Sequence, residues 1–420
     1  MIGLVDGNNF FVSCERVFAP ALEGRPVAVL SNNDGCCISR SNEFKALDIP
    51  MGTPYFKLKP LIARYGLILR SSNYELYADL SRRVIATLRE FAPRVEQYSI
   101  DEAFIYPELG PQADYFSYGK QVRQTVLQWV GIPCGVGFAP TKTLAKIANH
   151  IGKKKPEGVF VMPEDLQSVL NRVPVSEVWG VGRKLAPKLE RSGIRTAWQL
   201  SQQDVPRLQK QFSVMLGRTI MELRGTPCIE DDPPDELSQS ITCSRSFGHP
   251  VIDFCDLEES VATYTASAAV KLRQEGQKAS GVNVYFQMYP EYEPVRLEAA
   301  VTSTTIPFEQ PTDDTGKMLS AIRPKLRGIF VEGRRYKKSG VIFYGLESGS
   351  VEQPDLFAEQ QARQKQDRSE LFKAVDLINA KFGKGSVFTL AEGISKPWQM
   401  RREMLSHSYT TKWDQLLKVR

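Results

Sequence analysis

The chain predicts a mixed α/β (α+β) protein, with two α/β units and a helical segment between them. Three observations carry this expectation. Apolar, strand-like runs near residues 2–5, 95–106 and 134–138 interleave with helical patterns. They follow the strand, helix, strand, strand order of a ferredoxin-like sheet. From 166 to 230 the pattern is helical around a glycine-rich turn, and after the acidic, proline-containing stretch 231–238 strands and helices resume.

The elements follow in order. Residues 2–5 form a strand that delivers Asp6, and 25–30 form a second strand closed by the polar turn 31–35. Residues 39–47 predict a short helix, and 51–56 a loop. Ser72 or Asn73 caps a helix to about residue 91, whose apolar face is Leu76, Leu80, Val84, Leu88 and Phe91. Pro93 stops it and a strand follows. Residues 118–130 predict a helix, 134–138 a strand, and Thr141 caps a helix with the buried stripe Leu144, Ile147, Ala148 and Ile151. Residues 158–162 predict a strand. Val178-Trp179-Gly180-Val181-Gly182-Arg183-Lys184 with Ser192-Gly193-Ile194 reads as a helix-hairpin-helix, whose turn offers backbone N–H groups to a phosphate. Residues 195–224 are further helix and 231–240 a linker. Beyond it come strands near 240–247, 283–288, 295–302 and 340–346, and helices near 257–275 and 314–330, the second containing Pro324. A tail from about 349 holds one more helix near 370–380.

Composition narrows the function classes. The 420 residues suffice for about three domains. A net charge of +6 with clustered Lys and Arg points to a polyanionic partner. No apolar run is long enough to span a bilayer, and Asp6 interrupts the only apolar stretch a signal peptide would need. Seven scattered cysteines without CxxC spacing and three histidines argue against zinc and for a cytosolic, reduced protein.

The chemistry is expected at three acids. Asp101 and Glu102 sit side by side in an apolar run, and Asp6 ends another. Burying such charges costs several kcal/mol unless a positive charge compensates. A pair of hard cations about 3.5–4 Å apart would do so, the arrangement of in-line phosphoryl displacement. Adjacent strand residues point to opposite faces, so Asp101 and Glu102 share a site only at a turn, bulge or strand end. The backbone after Asp6 is expected to turn N–H groups toward phosphate oxygens. The Thr141-Lys142-Thr143-Leu144-Ala145-Lys146 stretch is not a Walker A loop.

Asp6 with Asn8, Phe10 and Phe11, then Ser31-Asn32-Asn33-Asp34-Gly35, Ser72-Asn73-Tyr74-Glu75-Leu76-Tyr77-Ala78-Asp79 and Ser99-Ile100-Asp101-Glu102 closely resemble the Y-family DNA polymerases, above all their UmuC-like branch. The resemblance runs over essentially the whole chain. It implies a right-hand polymerase: palm and fingers in 1–165 (fingers about 20–75), a thumb with the helix-hairpin-helix in 166–230, a linker at 231–240, a little finger in 241–347 and a tail in 348–420. It implies error-prone translesion synthesis in the SOS response, with Asp6, Asp101, Glu102 and the Gly7 carbonyl around two Mg²⁺. Phe11 matches the steric gate against a 2′-hydroxyl. Phe10 is counted with the nucleotide pocket although its ring reads as core. Ser39, Lys45 and Lys153 match triphosphate contacts, with Arg40 as a weaker candidate. DNA contacts are expected from Gly180, Gly182, Arg183 and Lys184, and from Arg245, Arg334, Arg335 and Lys337. Gln353-Pro354-Asp355-Leu356-Phe357 resembles a sliding-clamp peptide through Gln353, Leu356 and Phe357. The tail implies docking of a UmuD′-like dimer and RecA, in the cytoplasm of a bacterium and at its nucleoid during DNA damage. Two alternatives stay open: another two-metal palm enzyme such as a nucleotidyl cyclase, and a non-catalytic DNA-binding scaffold.

Overall fold

The computed structural model describes residues 1–110, 113–229, 237–290, 300–349 and 368–417. Two units result: residues 1–232 together with 403–420, and residues 233–402.

The first unit is built on a five-stranded sheet of β1 (Ile2–Gly7), β5 (Arg94–Gln97), β6 (Glu102–Tyr106), β7 (Cys134–Ala139) and β8 (Val159–Val161), ordered β5-β6-β1-β7-β8. Its first four members give the ferredoxin-like order, all antiparallel, and β8 adds in parallel to β7. Alternation along the strands divides their side chains between two cores. Val5, Ala103 and Val136 face the cluster that includes Leu76 and Leu80 of α4 (Tyr74–Arg89) and Val122 and Val126 of α5 (Tyr115–Val130). Leu4 and Phe104 face the opposite cluster, with Leu144 and Ile147 of α6 (Lys142–Gly152). Thr141 caps α6 by accepting from the Leu144 N–H, and Asn73 caps α4 through the Leu76 N–H. Gly137 lets α6 approach β7: a Cβ there would stand 2.1 Å from the Asn149 nitrogen. The Asn149 side chain then donates to the carbonyls of Leu4 (3.2 Å) and Gly135 (2.8 Å), which ties α6 across β1 and β7.

Between β1 and α4 the chain forms α1 (Phe10–Phe18) and a small sheet of β2 (Val27–Leu30), β3 (Cys37–Arg40) and β4 (Ile68–Ser71), with α2 (Asn42–Lys45) and α3 (Tyr55–Tyr65). The helix expected over 39–47 is thus a strand followed by one helical turn. Ser39 and Arg40 pair with Val29 and Ala28, and Ser41 caps the turn through the Phe44 N–H. The loop expected over 51–56 gives way at Tyr55 to the helix α3, which sequence reading did not anticipate; Pro54 precedes it and Pro60 lies inside.

After β8 come α7 (Leu166–Leu170), α8 (Ala186–Arg191), α9 (Ala197–Ser201), α10 (Val205–Gln211) and α11 (Val214–Leu223); the further helix expected over 195–224 is the short helices α9 to α11. Glu222 of α11 is buried and accepts from the Thr143 N–H (2.9 Å) at the start of α6. A carboxylate at a helix N-terminus is favourable there.

The second unit is an antiparallel sheet ordered β11-β10-β12-β9, from β9 (Ile241–Val251), β10 (Gln277–Met288), β11 (Val301–Thr312) and β12 (Tyr336–Ser348). Two helices, α12 (Phe254–Gln274) and α13 (Thr315–Leu326), pack on it through Val261, Tyr264, Ala268, Leu272, Met318 and Ile322. The strand expected over 295–302 begins at Val301 and runs on to Thr312; residues 291–299 lie outside the described residues. The helix α14 (Ser369–Phe382) joins this unit: Asp376 pairs with Arg273 (2.7 Å) and Arg368 with Asp314 (2.9 Å). Trp398 completes the same core beside Phe247 and Tyr264. From Glu403 the chain belongs to the first unit. Among the described residues no helix is long and apolar enough to cross a membrane.

Candidate active site

Register brings the acids together. Asp6 stands directly opposite Glu102 in the β1–β6 pair, so the two side chains emerge on one face. That face carries Leu4 and Phe104 and looks toward α6. Asp101 sits in the bend just before β6, and its carbonyl accepts from the Gly7 N–H at 2.8 Å. Ser99 shapes the bend. Its hydroxyl oxygen accepts from the backbone N–H groups of Asp101 (3.3 Å) and Glu102 (3.0 Å) and donates to Asp101 Oδ1 (2.7 Å). The strand end demanded by two neighbouring acids is therefore a hairpin.

Two lysines of the α6 region neutralise the strand acids. Lys153 Nζ lies 2.6 Å from Asp6 Oδ2, and Lys146 Nζ lies 2.6 Å from Glu102 Oε2. The Lys146 ammonium also stands over the rings of Tyr98 (4.3 Å) and Trp179 (5.2 Å). Burial pushes the Asp6 carboxyl up to about 7, against the pull of Lys153 and with added repulsion from Glu102 and Asp101. Among the described residues no three acidic, histidine or cysteine side chains close around a common point. The donor set still suits a hard divalent cation: it is all carboxylate and carbonyl oxygen, and each strand acid already holds a cationic group.

On the fingers side, cations gather. The Lys45 ammonium is pushed below the usual lysine range by burial, then by nearby Arg40 and Lys153. It donates to Asn9 Oδ1 at 2.6 Å. Asn9, at φ +49°, starts α1 with no side-chain cap, so the first-turn N–H groups suit an anion. Within the stretch after Asp6 where phosphate-facing N–H groups are expected, those of Gly7 and Asn8 are spent on the carbonyls of Asp101 and Pro133, which leaves those at the start of α1. Phe11 is half-buried and lies flat on Tyr77, centroids 4.6 Å apart at 15°, with Tyr74 edge-on at 5.8 Å. Phe10 is 4% exposed and its ring belongs to the core, as it reads in sequence; the ring fills the space over Gly7. Ser39 is 7% exposed on β3.

The remaining expected contacts are scattered through the fold. Gly180 has φ +86°, and α8 begins only at Ala186, after the exposed Arg183 and Lys184. In the second unit Arg245 is exposed on β9, and Arg335 and Lys337 flank the ring of Tyr289 at 5.4 and 6.0 Å. Arg334 is half-buried beside them. Gln353, Leu356 and Phe357 lie outside the described residues. Lys146 and Ser99 were absent from the expected site. The signal for Lys146 was its spacing from Lys142, which pairs with Glu96 at 2.8 Å: the i, i+4 lysines of α6 each meet an acid of the sheet.

Comparison with known proteins agrees with this architecture. The impB/mucB/samB family matches residues 5–150, its C-terminal domain 238–356, and the IMS family HHH motif 163–194. A domain of unknown function (DUF4113) matches 369–419. Protein UmuC of Salmonella typhimurium is 44% identical, with 100% of each chain covered. A DNA polymerase IV of Desulfatibacillum aliphaticivorans is 28% identical over 91% of this chain and 94% of its own. Among solved structures, a Y-family DNA polymerase chimera superposes with a TM-score of 0.64 at 22% identity, over 83% of this chain and 100% of the other. With full-length identity at that level and a shared polymerase fold, the chain belongs to the UmuC family of Y-family DNA polymerases.

Proposed function

We propose that this polymerase joins a deoxynucleotide to a primer 3′-hydroxyl at Asp6, Asp101 and Glu102, during error-prone synthesis across damaged template in the SOS response. The observation that supports it most is the opposition of Asp6 and Glu102 on one sheet face, with Asp101 in the adjoining hairpin and a cluster of cations alongside. Divalent cations, in our reading two Mg²⁺, supply Lewis acidity to the attacking hydroxyl and screen the leaving pyrophosphate. The chain's own residues do the rest. Asp6, Asp101, Glu102 and the Gly7 carbonyl provide the oxygen donors. Arg40, Lys45 and Lys153 surround the triphosphate with positive charge, and the open start of α1 accepts a phosphate oxygen. With Asp6 engaged by a cation, Lys153, now 2.6 Å from its Oδ2, would be released to hold a phosphate. Phe11, backed by Tyr77, excludes a ribose 2′-hydroxyl by overlap.

The exposed Arg183 and Lys184 after Gly180 and Gly182 hold the duplex backbone, and Arg245, Arg334, Arg335 and Lys337 track it from the second unit. Gln353, Leu356 and Phe357 form the sliding-clamp peptide, and the tail serves a UmuD′-like dimer and RecA. The cytoplasm, at the nucleoid, is the place of action.

Primer extension tests this reading. The parent adds dNTPs to a primer on a template, and Asp101→Ala adds none while retaining DNA affinity. Equal extension by Asp101→Ala contradicts the assignment. A parent that binds DNA but never extends, with and without partner proteins, favours a scaffold.

A further inference from the structure

Behind Phe11 lies a buried chain of polar contacts that ends in the C-terminal segment. Glu15, one turn along α1 from Phe11, is 1% exposed. The Tyr77 hydroxyl donates to Glu15 Oε1 at 2.7 Å, and the Ser406 hydroxyl donates to the same oxygen at 3.0 Å. Ser406 is itself held: the Asn73 amide donates to its Oγ (3.0 Å) and to the His407 carbonyl (3.3 Å). The preceding residues lock onto the fingers. The Ser71 N–H donates to the Met404 carbonyl (3.0 Å), the Met404 N–H donates to Ser71 Oγ (2.9 Å), and the Glu403 N–H donates to Asp34 (3.0 Å). The Met404 side chain packs on the fingers core. Tyr409 then lies flat on Phe18 of α1, centroids 4.9 Å apart at 9°. One short segment thus joins the fingers sheet, α1, which carries Phe11, and α4, which carries the Tyr77 ring against it.

We infer that residues 403–409, within the domain of unknown function, form part of the sugar-selecting wall, and that Ser406 is a positioning residue for Phe11. This rests on reading Phe11 as the sugar gate. Tyr77 supports the Phe11 ring face to face, and the tilt of Tyr77 is fixed by where its hydroxyl finds an acceptor. That acceptor is a buried carboxylate, and burial raises the affinity of Glu15 for its proton. A buried carboxylate with one donor removed must find another or shift. A gate that works by overlap is sensitive to displacements of about 1 Å.

The test compares kcat/KM for a dNTP and the matching rNTP opposite one template base, in the full-length protein. The variants are Ser406→Ala, Ser406→Thr, Tyr77→Phe and Phe11→Ala. We expect Ser406→Ala to lower sugar discrimination about threefold or more, through the KM for the ribonucleotide, the effect of one hydrogen bond to a buried carboxylate. Ser406→Thr keeps the parental ratio, and Tyr77→Phe, which keeps the ring and loses the hydroxyl, falls with Ser406→Ala. Hydrogen exchange at residues 403–409 shows whether the segment stays docked. Parental discrimination in Ser406→Ala, with Phe11→Ala relaxed, overturns the proposal. Parental discrimination in Phe11→Ala overturns the gate reading itself. Where Ser406→Ala does not fold, Ser406→Cys, which keeps the size and weakens the donor, takes its place.

Discussion

At the scale of single residues, the acids were legible and their partners were not. Asp6, Asp101 and Glu102 stand out in sequence because they sit in apolar, strand-like runs, where an unpaired carboxylate is costly, and within strings that resemble the Y family. Lys146 does not stand out, because its partner lies across a helix–sheet interface that only tertiary structure creates. Glu15 was invisible for the same reason: its two donors come from residues 77 and 406. Its buried carboxyl gives a pH prediction. The folded state holds the Glu15 proton more tightly than the unfolded chain, where the value is near 4.5. Between the two values the folded state binds more protons, so this residue's contribution to stability is full at low pH and is lost as pH rises from about 4.5. Glu15→Gln keeps the acceptor and removes the ionisation. Its denaturant midpoint should therefore fall less than the parent's on going from mildly acidic to neutral buffer. Parallel slopes for the two proteins would show that Glu15 titrates normally. At the gate, Phe11→Ala should admit ribonucleotides at least about tenfold better, the scale of discrimination lost when a shape contact disappears; single-nucleotide incorporation kinetics measure it.

At the scale of elements, the long periodic helices and the central strands were readable, and the fingers only in part: the strand expected over 25–30 is β2, whereas β3 and α3 were missed. The helices α4, α5, α6 and α12 carry clear apolar stripes and side-chain caps, so periodicity and capping agree. The fingers are made of four-residue strands, too short for a period to declare itself, and α3 has a proline within it. Residues 39–40 read as helix because strand pairing with residues 28–29 lies outside any local signal. The seat of α6 on the sheet makes a stability prediction. Gly137→Ala drives a methyl group into the backbone of residues 148 and 149, which cannot rotate away. We expect a loss of about 2–4 kcal/mol, as for overpacking against a rigid neighbour, read as a drop in denaturant midpoint. Polymerase activity should fall with it, because Lys146 and Lys153 are carried by the same element. A midpoint within error of the parent's would mean that α6 can lift off β7 without cost.

At the scale of the molecule, both units and the family were legible because the resemblance runs the whole length of the chain. What sequence did not convey is that the tail is divided between the units: 369–402 completes the second core with Trp398, and 403–409 pairs with the fingers. The basic side chains of the second unit predict a salt-dependent grip on DNA. Each phosphate contact contributes about −0.9 to the slope of log K against log salt. Replacing Arg335 and Lys337 by Ala should make that slope shallower by about 1–2 in a fluorescence anisotropy titration of primer–template. An unchanged slope would remove these two residues from the DNA surface. The account as a whole stands on three carboxylates that jointly hold divalent cations. The most direct measurement is a Mn²⁺ titration followed by electron paramagnetic resonance, with primer–template and a non-hydrolysable dNTP present. The parent should immobilise Mn²⁺, and Asp6→Asn, Asp101→Asn and Glu102→Gln should each weaken that binding by tenfold or more, about 1.4 kcal/mol. Binding of Mn²⁺ at parental strength by all three variants would contradict the account.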